Sequence, residues 1–146
     1  MKPATVRFYF DADILGLGKL IAGLRNDCTY PGDPGGVVRR RQRPACSITT
    51  PATDDLVWIP QVTAARMLII TRDSAIQRRV AELNTVRDSG ARMVALSGAE
   101  AVGTWAQLEV VMSQWRRIEA LLAVPGPFVY SVSRTGGLTR VSLPPS

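Results

Sequence analysis

Two aspartates near the N-terminus, Asp11 and Asp13, directly follow an apolar stretch at residues 5–10. That stretch is rich in β-branched and aromatic residues, which predicts a buried strand. A second apolar run, at residues 67–71, has the same character and is followed by Arg72 and Asp73. In an open α/β sheet, ligands bind beyond the carboxyl ends of the strands. Three acids at such ends predict a cation site.

A third source of acids is the pair Asp54 and Asp55, which precedes residues with helical spacing. Thr53 or Asp54 fits the N-cap position, and an acid in the first turn is favourable at the helix N-terminus. Capping explains one acid of the pair better than two. We therefore expect Asp55 to point towards the same edge of the sheet and Asp54 to cap, although the two could exchange roles.

The composition limits the chemistry that the chain can perform. Its 146 residues, 46% of them hydrophobic, are enough for one sizeable core, so we predict a single domain over residues 1–146. The absence of histidine excludes Ser-His and Cys-His nucleophile pairs and argues against a zinc site of the usual kind. Any hydrolysis must then rest on carboxylates. A net charge of +6 suits a polyanionic partner.

The sequence has no apolar run long enough to span a bilayer and no signal-peptide pattern at its N-terminus. We therefore expect a cytoplasmic protein without a membrane partner. Cys28 and Cys46 do not form a CxxC pair. In that compartment both thiols are expected to be reduced.

A long basic loop is predicted at about residues 31–53, because Pro and Gly residues at its start favour turns. Its arginines are Arg39, Arg40, Arg41 and Arg43. They could contact the phosphates of a nucleic acid, bind an acidic protein partner, or lie on a solvated loop without a partner.

The remaining pattern alternates strands and helices, which predicts an α/β fold with a parallel sheet. After Asp73 we expect a helix with Ile76, Val80 and Leu83 on its buried face, then a strand at residues 92–96. A long helix follows at about 104–123, and a hairpin at about 127–143 ends the fold. The predicted buried stripe of the long helix consists of Trp105, Leu108, Val111, Met112, Trp115, Ile118 and Leu122.

Three segments in this order, FDADILGLGK, DDLVWIP and LIITRD, resemble the PIN-like domains of VapC-type toxins. The resemblance covers roughly residues 5–97. It implies a three-layer α/β/α sandwich around a mainly parallel sheet, and a Mg²⁺- or Mn²⁺-dependent ribonuclease that is paired with an antitoxin. By position, the family's acids correspond to Asp11, to Asp54 or Asp55, and to Asp73. A fourth family acid has no counterpart at residues 96–98, so Asp13, Asp54 or Glu100 would take its place.

Carboxylate oxygens are the protein ligands that Mg²⁺ prefers, together with water and substrate phosphate. We therefore expect Asp11 and Asp73 to be direct ligands and Asp55 to be a ligand or a base, with Asp13 and Asp54 as possible further ligands. The expected RNA contacts are Lys19, Arg39, Arg40, Arg41, Arg43 and Arg72. The alternative is a catalytically inactive relative that binds RNA or protein, and a homodimer remains open.

Overall fold

The computed structural model describes residues 1–72, 80–97 and 101–146. The strands are β1 (Phe8–Phe10), β2 (Cys28–Thr29), β3 (Gly36–Val38), β4 (Arg41–Arg43), β5 (Leu68–Arg72), β6 (Arg92–Leu96), β7 (Phe128–Val132) and β8 (Leu138–Val141). The α-helices are α1 (Leu15–Leu24), α2 (Asp55–Ala64), α3 (Val80–Ser89) and α4 (Thr104–Ala120). Short 3₁₀ turns lie at Ala12–Ile14 and Leu121–Ala123.

Six strands form one sheet in the order β2-β1-β5-β6-β7-β8. The first five are parallel and β8 is antiparallel, so β7 and β8 form the predicted terminal hairpin. Strand β1 pairs with β5 such that Phe10 lies opposite Ile70. The carboxyl ends of β1 and β5 therefore meet at one edge, as the sequence predicted.

Helices cover both faces of the sheet, because alternate side chains of each strand point to opposite sides. Phe8 and Phe10 lie in one core cluster with residues of α1 and α4. Tyr9, between them, lies in a second cluster with residues of α2 and α3. The predicted three-layer α/β/α sandwich is confirmed.

The buried faces of α3 and α4 differ from the predicted stripes. Val80 is 63% exposed, whereas Glu82 is buried; Ile76 lies outside the described residues. On α4, Trp105 and Met112 are 75% and 70% exposed, and the buried positions include Gln107 and Gln114. The side-chain amides of these glutamines donate hydrogen bonds to backbone carbonyls outside the helix. Gln107 donates to the Ala101 carbonyl, and Gln114 donates to carbonyls of the β7–β8 connection. The predicted stripe of the long helix is thus confirmed at Val111 and Ile118, which are buried, and at Leu108, Trp115 and Leu122, which pack against the core; it is wrong at Trp105 and Met112.

The segment predicted as a long basic loop contains secondary structure. Strands β3 and β4 pair antiparallel through a two-residue turn, Arg39-Arg40, in which both residues have positive φ. The hairpin is attached to the N-terminal segment, where Pro3 bridges to Gln42 and the Ala4 amide donates to the Gln42 carbonyl. This part of the chain is therefore ordered on the body of the protein.

No helix among the described residues is both long enough and apolar enough to cross a membrane.

Candidate functional site

The site begins where β1 ends. The Asp11 amide donates to the Ile70 carbonyl (2.9 Å), which keeps the chain on the sheet for one residue beyond Phe10. The Asp11 carboxylate then accepts a hydrogen bond from the Ala12 amide and caps the following 3₁₀ turn. That turn carries Asp13, so the local sequence places both carboxylates at the same edge.

Thr71, on the neighbouring strand β5, holds the two acids together. Its Oγ1 lies 2.9 Å from Asp11 Oδ2, and 3.3 and 3.1 Å from the two carboxylate oxygens of Asp13. The Arg72 amide also donates to Asp13 Oδ2 (3.1 Å). A hydroxyl has one hydrogen to donate. Because three carboxylate oxygens surround the hydroxyl, that single hydrogen cannot serve Asp11 and Asp13 at the same time.

Thr71 was not among the predicted site residues. The available signal was its place as a hydroxyl in an otherwise apolar strand, next to the Arg72-Asp73 pair. Strand β5 lies next to β1, and Ile70 is the partner of Phe10. Thr71, the next residue on β5, is therefore level with Asp11, the residue after Phe10.

The carboxylates have perturbed pKa values. Burial, and then the negative charge of Asp13, raise the pKa of Asp11 to about 7, against the hydrogen bonds from Thr71 and Ala12. Partial burial of its carboxylate also raises the pKa of Asp13, although that residue as a whole is exposed. The charge of Asp55 contributes to both shifts. The three acids therefore share one electrostatic environment in which negative charge is unfavourable.

The acidic pair at the start of α2 divides its roles. The Asp54 carboxylate accepts from the Leu56 amide (2.9 Å), which confirms it as the helix N-cap. The Asp55 carboxylate accepts from the indole Nε1 of Trp58 (2.7 Å), and Trp58 in turn stacks on Tyr9 at 5.0 Å between ring centroids. The Asp55 carboxylate is thus fixed by the indole of Trp58, and it lies near enough to Asp11 and Asp13 for its charge to raise the pKa of both.

Asp73 and Glu100 lie outside the described residues. In the described part of the chain, no three His, Cys, Asp or Glu side chains are gathered closely enough to enclose a metal ion. The donors that are present nevertheless suit a hard divalent cation, since Asp11 and Asp13 offer adjacent carboxylate oxygens and Asp55 adds charge nearby.

The basic residues fall into two groups. Arg72 follows Thr71 directly, and Lys19 is exposed on α1, the helix that starts beside the acids. Arg39, Arg40 and Arg41 are exposed on the β3–β4 hairpin.

The hairpin is attached near the ends at which strands β1 and β2 begin, whereas the acids lie where β1 ends. It contacts Pro3 and Ala4, which precede β1, and the Asn26 side chain, which precedes β2 and donates to the Val38 carbonyl. The acids, in contrast, follow β1. The structure therefore does not bring the hairpin arginines to the acids.

Arg43 does not belong to the exposed group. Its guanidinium is buried, with Nε 2.7 Å from Asp33 Oδ2 and Nη1 donating to the Ala22 carbonyl (2.7 Å). A buried and paired guanidinium cannot contact the phosphates of an RNA on the surface. The predicted RNA contact of Arg43 is therefore corrected to a structural role.

Comparison with models of known protein families gives a match over most of the described sheet. A family model described as a PIN like domain matches residues 7–98, well over half of the chain. Searches of curated proteins and of solved structures each returned no significant match. The matched range contains Asp11, Asp13, Asp54, Asp55 and Asp73, together with Thr71.

Proposed function

Because this chain belongs to the PIN-like domain family, whose members are commonly nucleases, we propose that it is a metal-dependent endoribonuclease. It would hydrolyse RNA phosphodiester bonds at a carboxylate-held Mg²⁺ or Mn²⁺, as the toxin of a toxin–antitoxin module. The observation that carries the proposal is the pair Asp11 and Asp13, which share the single hydroxyl hydrogen of Thr71 at the end of β1.

In this proposal, Asp11, Asp55 and Asp73 hold the ion, and Asp13 is a further ligand. A bound divalent ion lowers the pKa of a coordinated water and offsets charge that develops on the scissile phosphate. Thr71 and the Arg72 amide keep the carboxylates of Asp11 and Asp13 in place. Asp54 remains the cap of α2 and supplies no ligand.

Phosphate binding next to the acids is assigned to Lys19 and to the side chain of Arg72. The excess of positive charge over the chain, +6, favours a polyanionic substrate. Because Arg39, Arg40 and Arg41 lie away from the acids, they would contact RNA at a distance from the scissile bond or contact the antitoxin.

A protein partner is supported by exposed apolar side chains on α1 and α4. Leu24, Trp105 and Met112 are each more than 60% exposed. Leu24, Met112 and Trp115 border an apolar groove of about 270 Å³. We assign this surface to the cognate antitoxin, and a second copy of the chain is the competing occupant.

One observation favours a second function, that of a catalytically inactive module that binds RNA or protein. Two carboxylates, not three, share direct contacts among the residues that the structure describes. If Asp55 and Asp73 do not complete the ligand set, the fold would bind without cutting.

The test measures cleavage of a panel of structured and single-stranded RNAs with Mn²⁺ and with EDTA. Asp11→Asn should reduce the rate at least a hundredfold while the fold survives. The adjacent acids form a matched pair: Asp55→Asn should reduce the rate strongly, whereas Asp54→Asn should leave it within a few-fold of the wild type. The exposed Asp88→Asn controls for loss of charge alone.

Two results would decide against the enzyme. Equal cleavage by the wild type and Asp11→Asn would indicate a contaminating nuclease. RNA binding without any Mn²⁺-dependent cleavage would favour the binding module. Copurification with a partner protein that blocks cleavage would support the toxin assignment. A homodimer that binds no partner protein would instead assign the groove to a second copy of the chain.

A further inference from the structure

A second cavity lies at the opposite end of the sheet from the acids. It is open to solvent, measures about 760 Å³, and is bordered by the segments that lead into β1, β5, β6 and β7. Arg7, Arg66 and Arg92 line it, and Leu122 and Pro125 contribute an apolar wall. None of the residues that line it is acidic. The volume is within the usual range of small-molecule pockets.

Arg66 is held in a conformation that arginine disfavours. At the end of α2, the Arg66 amide donates to the Thr63 carbonyl (2.9 Å) and the Met67 amide donates to the Val62 carbonyl (3.1 Å). These two bonds form a Schellman motif, in which the residue after the C-cap is usually glycine. Arg66 occupies that position with φ of 63°. Glycine at this position would give a less strained backbone.

The three guanidinium groups differ in how far they are already satisfied. Arg92 donates to the carbonyls of Leu122 (2.8 Å) and Arg66 (2.9 Å), so it offsets the partial negative charge at the ends of the Leu121–Ala123 turn and of helix α2. Arg7 donates to Asp27 at 2.8 Å. The exposed guanidinium of Arg66 has no hydrogen-bond or ion-pair partner within residues 1–72, 80–97 and 101–146.

The acids that pair with Arg7 do not neutralise the cavity. Asp27 and Glu119 pair with Arg7 and also with Arg25, so two carboxylates are shared between two guanidinium groups. The guanidinium of Arg66 is therefore the group at the cavity that an anion can pair with.

We propose that this cavity binds a phosphomonoester of nucleotide size. A guanidinium fork matches the oxygens of a phosphate, and the dianion suits several arginines. The wall at Leu122 and Pro125 would contact the apolar part of the ligand. The phosphomonoester belongs either to a free nucleotide or to the 5′ end of an RNA chain.

This site is separate from the acidic site. Thr71 lies five residues beyond Arg66 along an extended chain, which corresponds to roughly 16 Å. A ligand at Arg66 therefore cannot reach Asp11 with the same phosphate, and the binding needs no divalent ion. The proposal stands or fails independently of RNA cleavage.

The experiment measures binding of UMP and of uridine by calorimetry and by thermal melting, in EDTA, with the full chain. Arg66→Gly is compared with Arg140→Gln, which removes an exposed arginine on β8, a strand that contributes no residue to the lining of the cavity. Arg66→Gly relieves backbone strain, so it should melt higher than the wild type, by roughly 2 to 4 °C.

UMP should bind the wild type and Arg140→Gln, and its affinity should fall at least tenfold in Arg66→Gly. Uridine should bind none of them measurably. Equal affinity of UMP for Arg66→Gly and the wild type, equal binding of uridine and UMP, or no binding of UMP to the wild type would each overturn the proposal. Hexanucleotides with a 5′-phosphate or a 5′-hydroxyl separate the two sources: binding of the phosphorylated one alone supports an RNA end, and exclusion of both supports a free nucleotide.

Discussion

At the scale of single residues, the site depends on how few donors serve the acids. Asp11 has two fixed donors, the Ala12 amide and the Thr71 hydroxyl, and Asp13 competes for the second. A buried carboxylate that lacks donors favours its protonated form. The acidic site can therefore gain stability from a proton or from a cation, and the two compete for the same oxygens.

The first prediction concerns the pH dependence of stability without metal. The pKa of Asp11 is raised to about 7 in the folded protein, so the folded state binds more protons than the unfolded state between about pH 4 and 7. The free energy of unfolding should therefore decrease as pH rises through that window, on the order of 1 kcal/mol per pH unit. Urea denaturation in EDTA at pH 5, 6 and 7 measures this slope.

The Asp11→Asn variant should flatten most of that slope and should be more stable than the wild type at pH 7. Asp27 should not contribute to this slope. Burial alone would raise its pKa, but hydrogen bonds from Arg25 and Arg7 lower it, so its effect on the free energy of unfolding changes at more acidic pH. Asp88→Asn, a surface change, should keep the slope of the wild type. A slope that is the same in all three proteins would contradict the assignment.

The sequence predicted some of these residues because their roles are local. Asp11 follows a recognisable strand, and Asp54 precedes a recognisable helix, so both positions could be derived from nearby residues. Thr71 and Arg43 have roles that depend on partners far along the chain, Asp11 and Asp33 respectively. Such partners are set by strand order and by the path of a loop, which the local pattern does not contain.

At the scale of elements, the β3–β4 hairpin was predicted as a loop for a physical reason. A two-residue hairpin turn with positive φ at both positions usually carries Asn-Gly or a similar pair. Here the turn is Arg39-Arg40, which gives no turn signal in the sequence. The hairpin also relies on contacts to Pro3 and Asn26 outside the segment. Its strands are therefore stabilised by tertiary contacts and not by local preference.

The second prediction tests what the hairpin binds. If Arg39, Arg40 and Arg41 contact RNA phosphates, changing all three to Gln should weaken binding and reduce the slope of log K against log salt by about 2. Filter binding in EDTA at 50 to 300 mM salt measures both quantities. Arg43→Gln should instead lower the melting temperature, since it breaks a buried ion pair with Asp33.

An unchanged salt slope in the triple variant would remove the hairpin from the RNA-binding surface. If the same variant then loses affinity for a copurified partner protein, the exposed arginines belong to that partner's interface. RNA contact and partner contact can be separated in this way because the hairpin lies away from the acids, so the triple variant leaves the acidic site unchanged.

At the scale of the whole molecule, the parallel sheet separates charges of opposite sign. The acids Asp11, Asp13 and Asp55 gather where β1 and β5 end, whereas Arg7, Arg66 and Arg92 line the cavity where strands begin. All parallel strands present the same end at one edge, so a residue's place before or after its strand determines the edge to which it belongs. The sequence predicted the acidic edge because two strands are followed by acids. The basic cavity requires the strand order, and so could not be read from local pattern.

The last prediction follows from that separation and needs no substrate. In EDTA the acids repel one another at one edge, so Asp11→Asn should melt higher than the wild type at pH 7.5. A divalent ion that binds only the folded state stabilises it by RT ln(1 + [L]/Kd), about 2.7 kcal/mol at a hundredfold excess over Kd. For a domain of this size, that corresponds to roughly 5 to 10 °C.

Saturating Mn²⁺ should produce this shift in the wild type and little of it in Asp11→Asn. The difference between their melting temperatures should therefore disappear or change sign. Arg66→Gly serves as the control at the other end of the sheet and should respond to Mn²⁺ as the wild type does. An equal Mn²⁺ shift in the wild type and Asp11→Asn, or no shift in either, would mean that these acids do not hold the ion. The proton competition at Asp11 also predicts that the shift is smaller at pH 6 than at pH 7.5, because the ion must then displace a bound proton.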